Sequence, residues 1–197
     1  MAQSNLAVQS AAYKLSRPEL QNILMSPAYR TRLGYIRARE FEEMRGYSAN
    51  LKKQYKTILL DGMATGINPL DIAGRISEQT GTSQFDARRI ARTEITTALR
   101  RSRLDESESA MQSLGLPIMM MQISALSATT RLSHALRHAK LYTIQEMRDW
   151  MSTSPNMINC KCTFVEVMVD DEGQPWVPDI IEKARAMWPE DAEFRKG

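Results

Sequence analysis

The sequence predicts an α+β fold: a helical N-terminal region followed by a long central helix and a small antiparallel C-terminal sheet with short helices. Three observations predict it. From Ser83 to Leu114 there is neither Gly nor Pro, so one helix of unusual length can form. Before that stretch, apolar residues recur at helical spacing between clear cap and stop signals. After Gly115 the period changes, and short apolar runs bounded by Gly, Pro or Asp take over.

The elements follow in order. Residues 1 to about 16 are small and polar and read as a loose arm. Ser16 with Pro18, then Ser26 with Pro27, are helix starts, the second opening a helix to about Arg45. Ser48 caps a helix from Ala49 to Ala64 with the stripe Leu51, Tyr55, Ile58, Leu59 and Met63. Asn68-Pro69 starts a short helix to Gln79, and Thr80-Gly81 ends it. Thr82 and Ser83 cap the central helix, with Asp86 in its first turn, where the helix dipole favours negative charge. Ala87, Ala91, Ile95, Ala98 and Leu99 give that helix a stripe of mostly small residues that lets a neighbouring helix approach closely. Pro117 to Ala125 reads as a strand, Ser133 to Lys140 as one or two helical turns, and Thr143 as the cap of a helix to Met151. Cys162 to Val169 is the strongest strand signal, closed by the turn Asp170-Asp171-Glu172-Gly173. A last short helix is expected from Asp179 to Met187, with a charged tail from Pro189.

Composition bounds the function. The 197 residues are 43% hydrophobic and 25% charged, ordinary for a globular chain able to bury a core. A net charge of +3 does not by itself argue for nucleic acid. Arg30, Arg32, Arg37 and Arg39 form one arginine cluster. Arg88, Arg89, Arg92, Arg100, Arg101 and Arg103 form another, of which Arg88, Arg89, Arg100 and Arg101 are the candidate phosphate contacts. No apolar run approaches the roughly 18 to 20 residues needed to cross a bilayer, and the N-terminus lacks a signal-peptide pattern. The expectation is a cytosolic chain whose two cysteines are thiols. The thirteen methionines, three of them consecutive at Met119 to Met121, suggest adaptable packing and surfaces for partners. Of the tryptophans, Trp150, Trp176 and Trp188 fall in the last third, where core packing is their expected use. Trp176, between Pro175 and Pro178, is a candidate exposed anchor.

One group of residues carries ligand chemistry: His134, His138, Cys160 and Cys162. Histidines four apart share a face of a helix, and cysteines two apart point the same way from a strand. Facing each other, the two pairs can close a tetrahedral N2S2 site suited to a structural Zn2+. The alternative is two small core thiols beside a buried His134, with His138 solvated. Catalysis finds little support. There is no phosphate-binding glycine loop and no His-Glu-x-x-His run. Nothing marks a third group or an oxyanion hole for a Cys-His nucleophile. Arg92 and Glu94, two apart on a helix, cannot face one another.

Ile90-Ala91-Arg92-Thr93-Glu94 (IARTE) resembles the signature helix of the phage Mu F-like head morphogenesis proteins, the minor head proteins of tailed phages. A Gly-interrupted helix pair stands before it (GMATGINPLDIAGRISEQTG). A strand-like run, a His-bearing turn (RLSHALRHAKL) and Asn159-Cys160-Lys161-Cys162, close to that family's Asn-Cys-Arg-Cys closing motif, follow it. The likeness spans roughly residues 50 to 170. In that family the histidine matching His134 is preceded by an acid and two basic residues. Arg131 fits the nearer basic position, while Ser127 and Thr129 stand at the acid and the other arginine. The position four beyond the histidine is commonly Asp there and is His138 here. The departures put a shared polar network at that turn in doubt.

The resemblance implies a non-enzymatic minor head protein that associates with the portal during procapsid assembly and can be ejected with the DNA, with scaffold or major capsid protein and packaged DNA as further partners. It implies a chain that assembles in the host bacterial cytoplasm, resides in the virion head and takes no membrane or small-molecule partner. Arg92, Thr93, Glu94 and Arg131 are then structural. The expected division is an N-terminal arm and helices over 1–47 (a portal-binding extension), the Mu F-like domain over 48–174, and a C-terminal helix and tail over 175–197. A different class, a zinc-stabilised nucleic-acid-binding module, would place the arginine clusters on phosphates. An appended effector domain is not expected, because few residues follow the family-like region.

Overall fold

A computed structural model describes residues 30–31, 34–35 and 47–187. The expected N-terminal arm, most of the helix from Pro27 to Arg45, Trp188 and the charged tail lie outside the described residues. Among those described there are six helices and one three-stranded antiparallel sheet. In chain order they are α1 (Ala49–Ala64), α2 (Pro69–Thr80), α3 (Gln84–Leu114), β1 (Ile118–Ile123), α4 (Leu132–Ala135), β2 (Leu141–Tyr142), α5 (Ile144–Ser152), β3 (Thr163–Met168) and α6 (Ile180–Ala186). The chain forms two compact units that divide within α3. One comprises the described residues up to Ser102 together with Met157–Asn159, and the other Arg103–Asn156 and the chain from Cys160.

Caps set the helix boundaries of the first unit. Ser48 accepts a hydrogen bond from the Leu51 N–H, and Asn68 accepts one from Leu70 with Pro69 in the first turn. Ser83 Oγ accepts from Asp86 N at 3.1 Å and donates to the Asp86 carboxylate at 2.8 Å. The Leu51, Leu70 and Asp86 N–H groups bound in this way are donors that their helices leave without an internal partner. Gly81, at φ 72°, ends α2 in the left-handed conformation that costs glycine least.

The stripes then meet in one core: Tyr55, Ile58, Leu59 and Met63 of α1, Ile72, Ala73 and Ile76 of α2, and Ala87, Ile90, Ala91, Ile95 and Ala98 of α3. Small residues supply most of the α3 face, as the spacing predicts. The helices approach closely at Gly62, where an added Cβ would lie 2.5 Å from both Cγ1 and Cδ1 of the fully buried Ile72.

Arg92 and Thr93 hold the 157–159 segment of the same unit. Arg92 Nη1 donates to Asn159 Oδ1 at 2.6 Å, and the Asn159 N–H donates to Thr93 Oγ1 at 2.8 Å. Thr93 and Glu94 are both buried.

In the second unit the sheet order is β2-β1-β3. β1 pairs with β3 from Ile118↔Met168 to Ile123↔Thr163, and with β2 at Met120↔Tyr142 and Met121↔Leu141. Alternation puts Met119, Met121 and Ile123 on one face, packed with Val165, Val167 and the α6 residues Ile180, Ile181 and Ala184. The opposite face presents Met120, Phe164 and Glu166. There Arg103 grips the Glu166 carboxylate through Nε (2.6 Å) and Nη2, and Ser107 Oγ donates to it at 3.0 Å. Burial of a sheet on both faces removes the polar half of the alternation. The consecutive methionines are therefore two opposed core contacts, with Met120 and Met121 both buried.

Two variants test these contacts in denaturant unfolding. Gly62→Ala improves helix propensity but forces a methyl into Ile72, and stability is expected to fall by about 1–2 kcal/mol. Thr93→Val keeps the shape and strands the Asn159 N–H, for an expected loss of about 1–3 kcal/mol. Thr96→Val is the control, since that hydroxyl only returns to the Arg92 and Thr93 carbonyls of its own helix, and it should stay within about 0.5 kcal/mol of the parent.

Candidate metal centre

His134 lies on α4, a single turn of four residues. Arg131, just before it, makes no side-chain cap. Its guanidinium donates instead to the carbonyls of Pro155 (2.8 Å) and Asn156 (3.2 Å), tying the turn to the segment that leads toward the cysteines. Ser127 Oγ lies 3.1 Å from Thr130 Oγ1 and 3.3 Å from Thr129 Oγ1. Cys160 and Cys162 precede β3 in extended chain, and burial alternates from Cys160 to Phe164. Both thiols therefore face inward while Lys161 faces out. Neither is in a disulfide.

The donors of His134, Cys160 and Cys162 all lie within 4.8 Å of one another. His134 Nδ1 is 3.5 Å from Cys160 Sγ and 3.7 Å from Cys162 Sγ. A tetrahedral zinc ion with ordinary bond lengths to sulfur and imidazole nitrogen would set those edges at about 3.6 Å. One imidazole nitrogen and two sulfurs, drawn to that spacing and buried to 2%, 6% and 5% exposure, fit a metal of that class.

The electrostatics agree with the geometry. The Cys162 thiol is pulled down to about 3, chiefly by its hydrogen bond with Cys160. Burial opposes the shift, and hydrogen bonds from His134, Ser124 and the Ala125 backbone reinforce it. Ser124 Oγ stands 3.3 Å from Cys162 Sγ. The thiolate is the form that can bind a metal, and these hydrogen bonds favour it.

A stack of rings fixes the imidazole. Trp150 lies T-shaped to His134 at 5.3 Å between centroids. The Arg137 guanidinium sits 4.2 Å from the Trp150 centroid and 3.6 Å from that of Tyr142. Burial lowers the pKa of Arg137, opposed by Tyr142 and Glu146. Trp150 is itself placed by α5, whose capping box pairs Thr143 with Glu146, and its carbonyl accepts from Asn156 Nδ2 at 2.9 Å. His134 Nε2 is buried without a hydrogen-bond partner.

Three of the four expected ligands thus converge and the fourth does not. His138 was expected beside His134 because residues four apart share a helical face, but α4 ends at Ala135 and the chain turns. The His138 ring instead accepts from Ser124 N (3.0 Å) and meets Ala184 O (2.7 Å). The candidate phosphate contacts are dispersed in character. Arg88 is exposed; Arg89, Arg100 and Arg101 are half-buried. Arg89 pairs with Asp86 at 3.2 Å, and Arg100 Nη1 lies 3.6 Å from Met157 Sδ. Spacing alone did not single out Ser124, Arg137 or Trp150. A serine at the end of a strand and an arginine between two aromatic segments are signals only once the fold joins them.

Among the described residues no helix is long and apolar enough to cross a membrane. No curated protein and no solved structure matches the chain. A family model described as "Phage Mu protein F like protein" matches residues 53–165, from α1 through the helix with Arg92, Thr93 and Glu94 and the His134 turn into β3. That match covers more than half of the sequence, and the chain belongs to the phage Mu F-like family of head morphogenesis proteins.

Proposed function

We propose that this protein is a minor structural component of a tailed-phage head that docks on the portal during procapsid assembly and can leave with the DNA on ejection. The observation that carries the reading is the family match over residues 53–165. A non-enzymatic role is consistent with the site. His134, Cys160 and Cys162 are buried, an arrangement suited to holding the fold and not to presenting a nucleophile to a substrate. In this reading they are the protein ligands of a structural Zn2+, which when bound would join the His134 turn to the approach to β3. Metal binding of this kind contributes directly to folding free energy. The segment 1–47 is assigned as the portal-binding extension of the Mu F-like domain over 48–174.

Co-sedimentation of the full chain with assembled portal rings tests the docking role. Saturable recovery with the rings is expected, with recovery lost when residues 1–47 are removed. A chain that is folded by circular dichroism yet stays in the supernatant at every portal concentration contradicts the proposal.

A further inference from the structure

The engagement of His138 leaves no nitrogen for an ion. A backbone N–H can only donate, so the 3.0 Å contact from Ser124 N makes His138 Nδ1 an acceptor and puts the ring proton on Nε2. That proton is donated to the Ala184 carbonyl at 2.7 Å. The neutral ring uses both nitrogens, and it is 5% exposed. Ligation through either one would break a buried hydrogen bond.

What the ring holds is the turn that serves the sulfur. Ser124 follows β1 directly, its Oγ lies 3.3 Å from Cys162 Sγ, and the Ala125 N–H is hydrogen-bonded to the same sulfur. His138 therefore pins, through the Ser124 backbone, the two-residue segment whose donors face Cys162. Its other nitrogen anchors that arrangement to α6. Leu126 and Ala139, on either side, have φ of 48° and 55°, a conformation that a non-glycine residue keeps only where surrounding contacts enforce it. The Ala139 N–H donates to Gln122 O at 2.8 Å, which fixes the turn after His138 against the end of β1.

Resting on the reading of His134, Cys160 and Cys162 as ligands, we propose that His138 is not a ligand but a positioning residue, holding Ser124 and Ala125 against the Cys162 sulfur of a three-protein-donor metal centre. Outer partners of this kind orient ligands and tune affinity, and their loss typically costs about 10–100-fold in metal binding.

The test uses the reduced full chain, labelled with 15N-histidine and loaded with 113Cd2+, a spin-half probe for zinc sites. Cadmium splitting is expected on His134 Nδ1. His138 should show no splitting and the Nε2–H tautomer. His138→Gln, whose amide can accept from Ser124 N and donate to Ala184 O, should bind cadmium close to wild type. His138→Phe should bind about 10–100-fold more weakly while His134 stays split. Cadmium splitting on His138, or wild-type affinity in His138→Phe, overturns the proposal. If His138→Phe does not fold, loss of binding in a folded His138→Gln overturns it. Absence of cadmium binding by the wild type would instead remove the metal reading beneath it, a different result from binding in which His138 takes the wrong part.

Discussion

One imidazole nitrogen between two sulfurs joins distant segments of the second unit. For Nδ1 of His134 to stand 3.5 and 3.7 Å from Cys160 and Cys162, a four-residue helical turn must meet an extended segment 26 to 28 residues further on. Regular secondary structure alone does not bring these together. The join is made by side chains: Arg131 on the carbonyls of Pro155 and Asn156, Asn156 on the Trp150 carbonyl, and Trp150 against the imidazole. The described residues contain three non-glycine residues at positive φ, Leu126, Ala139 and Asn159. Each lies beside a residue of this assembly: two beyond Ser124, next to His138, and next to Cys160. Strained backbone persists where surrounding contacts over-determine it, and here it gathers around the same cluster.

The first unit is held together differently. Its core is a continuous apolar contact among α1, α2 and α3, with alanines on α3 and Gly62 on α1 allowing close approach. Polar chemistry enters where α3 binds the 157–159 segment. Thr93 supplies an acceptor to a backbone N–H and Arg92 reads the Asn159 side chain. The residues that gave the family resemblance thus have a physical task that a helix former without a hydroxyl at position 93 could not perform.

Much of this was legible in the sequence because the signals are local. Ser48, Asn68, Ser83 and Thr143 all cap the helices they precede. The α3 stripe of Ala87, Ala91, Ile95 and Ala98 is buried. Both long strands fall within their expected limits. β2 escaped notice because two residues carry no period; it forms only because β1 offers an edge. His138 stands apart from the His134 cluster for a related reason. Spacing of four places two side chains together only while a helix continues, and nothing local announces that α4 ends after one turn. Trp176 is exposed, at 53%, and so is not used for core packing, whereas Trp150 contributes to the ring stack. The hydroxyls of Ser127, Thr129 and Thr130 form a local cluster, which no spacing rule would foresee.

If His134, Cys160 and Cys162 hold a metal through one nitrogen and two sulfurs, zinc K-edge X-ray absorption on the reduced, purified full chain tests it most directly. Stoichiometric zinc is expected, with two sulfur scatterers at about 2.3 Å and the remaining nitrogen or oxygen shell at about 2.0–2.1 Å. A protein without stoichiometric zinc, or one whose zinc has only nitrogen and oxygen neighbours, would contradict it.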